Sequence, residues 1–330
     1  MAANIQRMQA RCDAAGIKFR PHIKTHKIPA IARMQMDAGA VGIACQKVSE
    51  AQVFAEAGFN DIQIPYNIVG EAKTRRLAEI ASYNRVTVSA DHTVVVGGLS
   101  DAAKAEDVTI RVLVDVATHI KRTGARPDEL VELAKRIEDD VNLHFAGIMI
   151  YPSDPEDRPR LLETINGLDK AGLGVDIVSG GGFGASRFIE QVPELTELRV
   201  GTYVFGDWGS VQKGWCTPDD CAMRVAATVV SRPDGDRAIL DSGSKTLNSE
   251  SVDGIYGHIV EYPAARIYRL SEEHGHVDVS DCMEKPVIGE RVHIIPVHTC
   301  IVTNLHDRIY GVRDGEIEHE WPVAARGKVW

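Results

Sequence analysis

Ile17-Lys18-Phe19-Arg20-Pro21-His22-Ile23-Lys24-Thr25-His26-Lys27-Ile28-Pro29 is the stretch from which the fold is read. A short β-like run, Ile17-Lys18-Phe19, feeds a basic turn, and Pro29 is placed to be the first residue of a helix. The unit is therefore strand, turn, helix. Two lysines and two histidines crowd the turn, and the stretch itself contains no acidic residue. A lysine at the end of a buried strand is costly unless it is paired or carries a covalent partner. Schiff-base chemistry needs such a lysine, because desolvation and cationic neighbours free its lone pair. On this reading His22 and His26 hold the amine and an anionic cofactor without a competing carboxylate, and Lys27 leads outward into the helix. A solvated basic turn that binds some anion fits the same octapeptide.

Outward from this unit the pattern repeats. Strands are expected at Ile17–Lys24, Val41–Cys45, Asp61–Pro65, Arg85–Ser89, Val108–Val116, Phe145–Ile150, Val175–Ser179 and Glu197–Val204. Helical stretches such as Pro29–Ala38, Ser49–Ala57, Glu71–Ser82, Pro127–Asp139 and Pro155–Ala171 lie between them. The strands are short, apolar on both faces and never joined by hairpins, as buried parallel strands are. Eight alternations within about 205 residues fit a (β/α)8 TIM barrel better than an open doubly wound sheet. From Cys221 the grammar changes: Val225–Val230, Arg237–Leu240, Ile259–Tyr262, Arg266–Leu270 and Val292–Ile295 read as strands separated by turns. The expected organisation is an α/β barrel over residues 1–213 and a mostly antiparallel β domain over 214–330.

The totals bound the function. The chain has 330 residues, 44% hydrophobic and 25% charged, with a net charge of −10. That charge argues against nucleic acid and anionic membranes as partners. No apolar run approaches the roughly 18 residues of a membrane helix. Met1 to Gly16 reads as an amphipathic helix with no secretion core. The six cysteines show no paired framework, so reduced thiols and a cytoplasmic location are expected.

A barrel's chemistry belongs at the C-terminal ends of its strands. There the sequence puts Lys24, Cys45-Gln46-Lys47, Tyr66-Asn67, Lys121-Arg122-Thr123-Gly124 and Tyr151. The seventh strand ends in Ser179-Gly180-Gly181-Gly182, and the eighth is followed by Gly201-Thr202-Tyr203. Consecutive glycines let backbone N–H groups converge on an anion. A phosphate anchor opposite a reactive lysine is what pyridoxal phosphate requires. A glycine-rich loop alone is also simply a tight turn. In the second domain His298 and Cys300 stand two apart; on a strand they would share a side and one ion. Imidazole plus thiolate suits zinc, although a buried cysteine is more often a small hydrophobe. His293, His306 and Asp307 are nearby alternatives.

Pro21-His22-Ile23-Lys24-Thr25-His26-Lys27, Ser179-Gly180-Gly181-Gly182, Gly201-Thr202-Tyr203-Val204-Phe205, Asp241-Ser242-Gly243-Ser244-Lys245 and His298-x-Cys300 together resemble the D-threonine aldolase and D-serine dehydratase family, over nearly the whole chain. The resemblance implies an alanine-racemase type of fold, with Lys24 as the Schiff-base lysine. It implies phosphate binding by the two glycine turns, Arg122 near the cofactor's phenolic oxygen and Tyr151 beside its ring. His22 and Gln46 join the cofactor set, and His298 and Cys300 hold a divalent metal (zinc, manganese or magnesium). The implied activity is a metal-assisted lyase on a small D-β-hydroxy amino acid, first of all cleavage of D-threonine to glycine and acetaldehyde, in a homodimer. D-Serine or 3-hydroxyaspartate dehydration and, more distantly, racemisation are the alternatives. The chain departs from the family in three places. Met1 already sits in the first helix, where relatives usually carry a preceding strand. His119 stands where a glycine is commoner. Pro152-Ser153-Asp154 and Asp157 follow Tyr151 where some relatives have a histidine, so the second acid/base group is unassigned.

Overall fold

The computed structural model describes all residues, Met1–Trp330. Two compact units divide it: Gln6–Gly201 with Gly327–Trp330, and Met1–Ile5 with Thr202–Arg326. The sequence boundary at 213/214 rested on a change of periodicity. The contacts group Thr202 to Lys213 with the second unit, where the Gly209 N–H donates to the Val297 carbonyl at 3.1 Å and Trp208 stacks on His258 at 4.0 Å.

The first unit alternates strand and helix. Its strands are β1 (Lys18–Phe19), β2 (Ile43–Ala44), β3 (Asp61–Asn67), β4 (Arg85–Ala90), β5 (Ile110–Val116), β6 (Leu143–Ile150), β7 (Ile177–Gly181) and β8 (Glu197–Arg199). They form one parallel sheet in the order β1-β8-β7-β6-β5-β4-β3-β2. An isolated parallel bridge between His22 and Ala44 links the β1 and β2 edges and closes the ring. The helices are α1 (Ala2–Ala14), α2 (Pro29–Asp37), α3 (Val48–Glu56), α4 (Glu71–Ala81), α5 (Thr93–Ala105), α6 (Pro127–Glu138) and α7 (Arg158–Lys170). In α6 the buried residues are Leu130, Leu133, Ala134 and Ile137, the i, i+3, i+4, i+7 stripe that faces a core. Pro29 opens α2 as its first residue, where its missing N–H costs nothing.

Short strands carry polar side chains into the barrel. Gln63 of β3 reaches Ser179 of β7 at 3.4 Å, and Ser89 of β4 reaches Met149 of β6 at 3.1 Å. Contacts between strands that are not sheet neighbours must cross the interior. Arg20 is salt-bridged there to Glu197 at 2.8 Å and to Asp61 at 2.7 Å.

In the second unit β9 (Val225–Ser231), β10 (Arg237–Leu240), β11 (Gly257–Ile259), β12 (Arg266–Leu270), β13 (Gly275–Asp278) and β14 (Arg291–Pro296) form a sheet ordered β11-β14-β9-β10-β13-β12. Every pair in it is antiparallel. A separate hairpin pairs β15 (Arg308–Arg313) with β16 (Glu316–Pro322). Short helices α8 (Trp208–Gln212), α9 (Ser244–Leu247) and α10 (Thr299–Leu305) complete it. The (β/α)8 barrel followed by a mostly antiparallel β unit is thus the architecture expected from the sequence. No helix is long and apolar enough to cross a membrane.

Two local expectations change. The first strand does not run to Lys24: Pro21 interrupts it, and Ile23–Thr25 form a 3-10 turn. His298 and Cys300 are not on a strand, since β14 ends at Pro296 and Cys300 lies in the first turn of α10.

Candidate active site

In the barrel unit Lys24 projects from the 3-10 turn just beyond the bridge that closes the ring. Its Nζ donates to Gln46 Oε1 at 3.3 Å, and His22 Nε2 meets the same oxygen at 3.1 Å. Burial, then the charges of Lys24 and Arg199, hold the His22 imidazole well below its ordinary value. It is therefore neutral, and its buried Nδ1 has no well-aligned hydrogen-bond partner, with the Ala44 backbone nearby. Gly201 packs directly on this turn: a Cβ there would lie 2.5 Å from Thr25 Oγ1 and 2.8 Å from the His22 carbonyl. Only glycine lets the chain pass so close.

Lys27 and His26 turn away. Lys27 is buried and salt-bridged to the fully buried Glu50 at 2.7 Å. It does not lie outside, and the acid missing from its own stretch comes from α3. His26 meets Gln35 at 3.2 Å and accepts from the Ile28 N–H at 3.1 Å. Burial lowers it to about 3, so His26 is a neutral strut and not part of a cofactor cradle.

The glycine strand is more committed than its sequence suggested. Gly180 and Gly181 belong to β7. The Gly181 N–H donates to Ser153 Oγ at 3.1 Å, and the Gly182 N–H to the Arg199 carbonyl at 3.3 Å. Ser179 Oγ donates to Glu197 at 2.7 Å and accepts from the Arg199 guanidinium. Its hydroxyl is spent inside the barrel. A Cβ on Gly181 would lie 3.1 Å from the Tyr151 ring, which brings Tyr151 beside this strand. Arg122 stacks on that ring at 4.4 Å. Arg199, which the sequence reading passed over, is fully enclosed, and burial lowers it to about 10.

His119 gains partners that its sequence did not advertise. Its Nδ1 lies 2.6 Å from Asp157 Oδ2 and 2.7 Å from Glu156 Oε1. This is the one group of three potential ligands with metal-like spacing. Both carboxylates converge on the same ring nitrogen, however, so an ion would have to take that nitrogen from them. The Asp157 hydrogen bond raises the His119 pKa. Its contribution to stability is then present below the ordinary imidazole value and fades as pH rises through the folded one. In a two-dimensional NMR titration His119 is expected to titrate above 6.5, and Asp157→Asn to bring it back. An unchanged midpoint in the variant would sink this assignment.

In the second unit His298 precedes α10. Its Nδ1 lies 3.4 Å from Asp207 Oδ2 and 4.0 Å from Glu250 Oε2. Burial opposes a charge on His298, but Asp207 and Cys300 outweigh it and lift the imidazole to about 10. Cys300 Sγ also lies 3.8 Å from Thr202 Oγ1. Asp207 Oδ1 caps α8 by accepting from the Ser210 N–H at 2.8 Å. Its Oδ2 is buried without a well-aligned hydrogen-bond partner. An imidazole and a thiol as two ligands, with a buried carboxylate held against the imidazole, suit a zinc-like ion. The alternatives are engaged elsewhere: His293 with Glu261 at 2.6 Å, His306 with the Val302 carbonyl at 2.8 Å, and Asp307 with Arg326 at 3.0 Å. Of the second glycine turn, Gly201 sits in the barrel unit, whereas Thr202 and the buried Tyr203 fall in the β unit.

Comparison with known proteins gives these groups a context. The family model described as alanine racemase, N-terminal domain, matches residues 1–208, and the one described as a putative serine dehydratase domain matches residues 222–312. A D-threonine aldolase of Arthrobacter sp is 34% identical, covering 98% of this chain and 89% of that protein. A 3-hydroxy-D-aspartate aldolase of Paracoccus denitrificans is 31% identical over the same shares, 98% and 89%. The crystal structure of D-threonine aldolase from Filomicrobium marinum matches with a TM-score of 0.91 at 34% identity, covering 100% of this chain and 94% of that one.

Proposed function

The chain belongs to the D-threonine aldolase and D-serine dehydratase family of alanine-racemase-fold lyases, and on that premise we propose that it cleaves D-threonine to glycine and acetaldehyde with pyridoxal phosphate and a divalent metal. The observation that carries the reading is the 34% identity to a D-threonine aldolase over 98% of the chain. Bound pyridoxal phosphate supplies an electron sink for the bond broken at Cα, and the metal a Lewis acid for the β-hydroxyl.

The chain's own residues divide the work. Lys24 would hold the cofactor through Nζ, which Gln46 Oε1 directs from 3.3 Å. His22, neutral through burial and its cationic neighbours, offers a buried ring nitrogen to the cofactor without adding a charge. Of the glycine turns proposed to bind the phosphate, Gly201 lets the chain pass close to Thr25 and His22, while Ser179 braces Arg199. Arg122 on Tyr151 presents a cation to the phenolic or carboxylate oxygens of the bound pair. His119, held on Asp157 with its pKa raised by that hydrogen bond, is the candidate of this unit for the unassigned acid/base role. His298 and Cys300 would ligate the metal. Asp207, beside Nδ1, would fix the imidazole so that its other nitrogen faces the ion. A cytoplasmic homodimer is part of the proposal, and the six free cysteines support a reducing location.

Incubation with D-threonine, with and without a chelator, tests the reading. Glycine plus acetaldehyde, lost on chelation and restored by zinc or manganese, is expected. 2-Oxobutanoate plus ammonia would replace the aldolase by a dehydratase, and activity indifferent to chelation would remove the metal from the mechanism.

A further inference from the structure

Cys216 and Cys221 flank a single 3-10 turn, Pro218–Asp220. The turn is pinned at both ends. Thr217 N–H and Oγ1 both donate to Asp220 Oδ2, at 2.9 and 2.8 Å. The Asp220 N–H returns to the Thr217 carbonyl at 3.0 Å, and the Cys221 N–H to the Pro218 carbonyl at 3.2 Å. Asn4 holds the Asp220 carbonyl from outside the turn at 2.8 Å. With the backbone closed in this way the two thiols come side by side, and Cys221 Sγ donates to the Thr217 carbonyl at 3.6 Å. Cys221 is buried and Cys216 half-buried.

The same sulfurs rest on Gly206-Asp207. The Asp207 N–H donates to Cys216. Gly206, at φ 64°, passes so close to Cys221 that a Cβ would lie 3.2 Å from its Cα and Sγ. Asp207 in turn places its buried Oδ2 3.4 Å from His298 Nδ1. One residue thus touches the thiol pair with its backbone and the proposed metal ligand with its side chain.

We propose that Cys216 and Cys221 are an oxidisable dithiol that closes to a reversible disulfide under hydroperoxide, and that closure shifts Asp207 and loosens metal binding at His298. The second half rests on the metal reading above; the first half does not. The chemistry balances with a hydroperoxide as the oxidant. The Cys216 thiolate attacks the peroxide, the O–O bond breaks, and a sulfenic acid and one water (or alcohol) result. Cys221 then attacks the sulfenic sulfur, the S–S bond forms, and a second water leaves. Two thiols lose two electrons, and the peroxide gains them. Cys216 is half-buried and Cys221 buried, and their contact lowers the Cys216 pKa and raises that of Cys221, which casts the more exposed sulfur as the attacker. Bond formation draws the sulfurs to about 2.05 Å, well inside hydrogen-bonding distance, and weakens the acceptor on which the Asp207 N–H relies.

The test uses the full chain loaded with zinc. After hydrogen peroxide treatment and alkylation, digestion without reduction should give the tryptic peptide between Lys213 and Arg224 unalkylated and lighter by two hydrogen atoms. Dithiothreitol should reverse the change. Zinc affinity, read by chelator competition, should fall about tenfold on oxidation and recover on reduction. Cys216→Ser should bind zinc normally and lose the response to peroxide. Full alkylation of both cysteines after peroxide would overturn the disulfide. A disulfide without a change in zinc affinity, or an equal loss in Cys216→Ser, would overturn the coupling. If Cys216→Ser does not fold, the peptide masses and dithiothreitol reversal of the unmutated protein decide. Absence of zinc binding before any oxidant would count against the metal reading alone, with the peptide masses still deciding the disulfide.

Discussion

Lys24→Ala is expected to lower D-threonine cleavage by about 10³-fold or more, the scale set by losing a covalent anchor and its proton transfers together. Borohydride treatment of the unmutated, pyridoxal-phosphate-loaded protein should fix the label on Lys24, and the variant should take up none. The rival lysine in the same octapeptide makes the prediction sharp. Lys27 is buried against Glu50 at 2.7 Å, so removing it strands a buried carboxylate. That loss costs stability on the order of 3–5 kcal/mol. Lys24 is half-buried on the neutral Gln46 amide, and truncating it removes that contact without breaking the Lys27–Glu50 pair. Urea unfolding should therefore separate the two: Lys27→Ala melts early, whereas Lys24→Ala unfolds like the parent and is inactive. Label on Lys27 would reverse the assignment.

The barrel was legible because its signals are local and repeated. Each apolar run, each Pro or Gly at a helix boundary and the lack of hairpins point the same way, and β10 and β12 carry the bounds read from the sequence, Arg237–Leu240 and Arg266–Leu270. The site was legible only in part, for physical reasons that differ from residue to residue. Lys24 was found as a basic residue at a strand end, but Pro21 breaks that strand and a 3-10 turn aims the side chain. His298 and Cys300 were paired by strand alternation, yet Pro296 ends β14 and a helix start brings them together instead. Glu50 could not be foreseen as the partner of Lys27, since nothing in the sequence says which helix closes over the turn. Arg199 left a clue: a strand with no exposed face that contains Glu197 and Arg199 must pair its charges internally. The hairpin β15–β16 left one too, in Asp314-Gly315, whose φ values of 51° and 86° suit a two-residue turn. Its strands carry no buried face, so hydrophobic alternation could not reveal them.

Asp207 gave the weakest sequence signal of any residue in the proposed site and carries the second large expectation. Asp207→Ala should weaken zinc binding roughly 10–100-fold, the usual loss when the carboxylate behind a ligating histidine is removed. His298→Ala, which removes a ligand outright, should weaken it further. Two duties must be separated, because Oδ1 caps α8 at 2.8 Å from the Ser210 N–H while Oδ2 faces His298 at 3.4 Å. Loss of the cap alone costs about 1 kcal/mol of stability. Asp207→Asn keeps a side-chain oxygen for the cap and leaves the amide to face the imidazole without a negative charge. If Asp207 serves only α8, Asp207→Asn will match the parent in both unfolding and chelator competition. If it orients His298, Asp207→Asn will unfold like the parent but bind zinc less tightly, between the parent and Asp207→Ala. Parent-like zinc affinity in Asp207→Ala would refute the orienting role. The burial of Asp207, at 2% exposure, argues for that role: a carboxylate is not buried beside an imidazole for the sake of a five-residue helix.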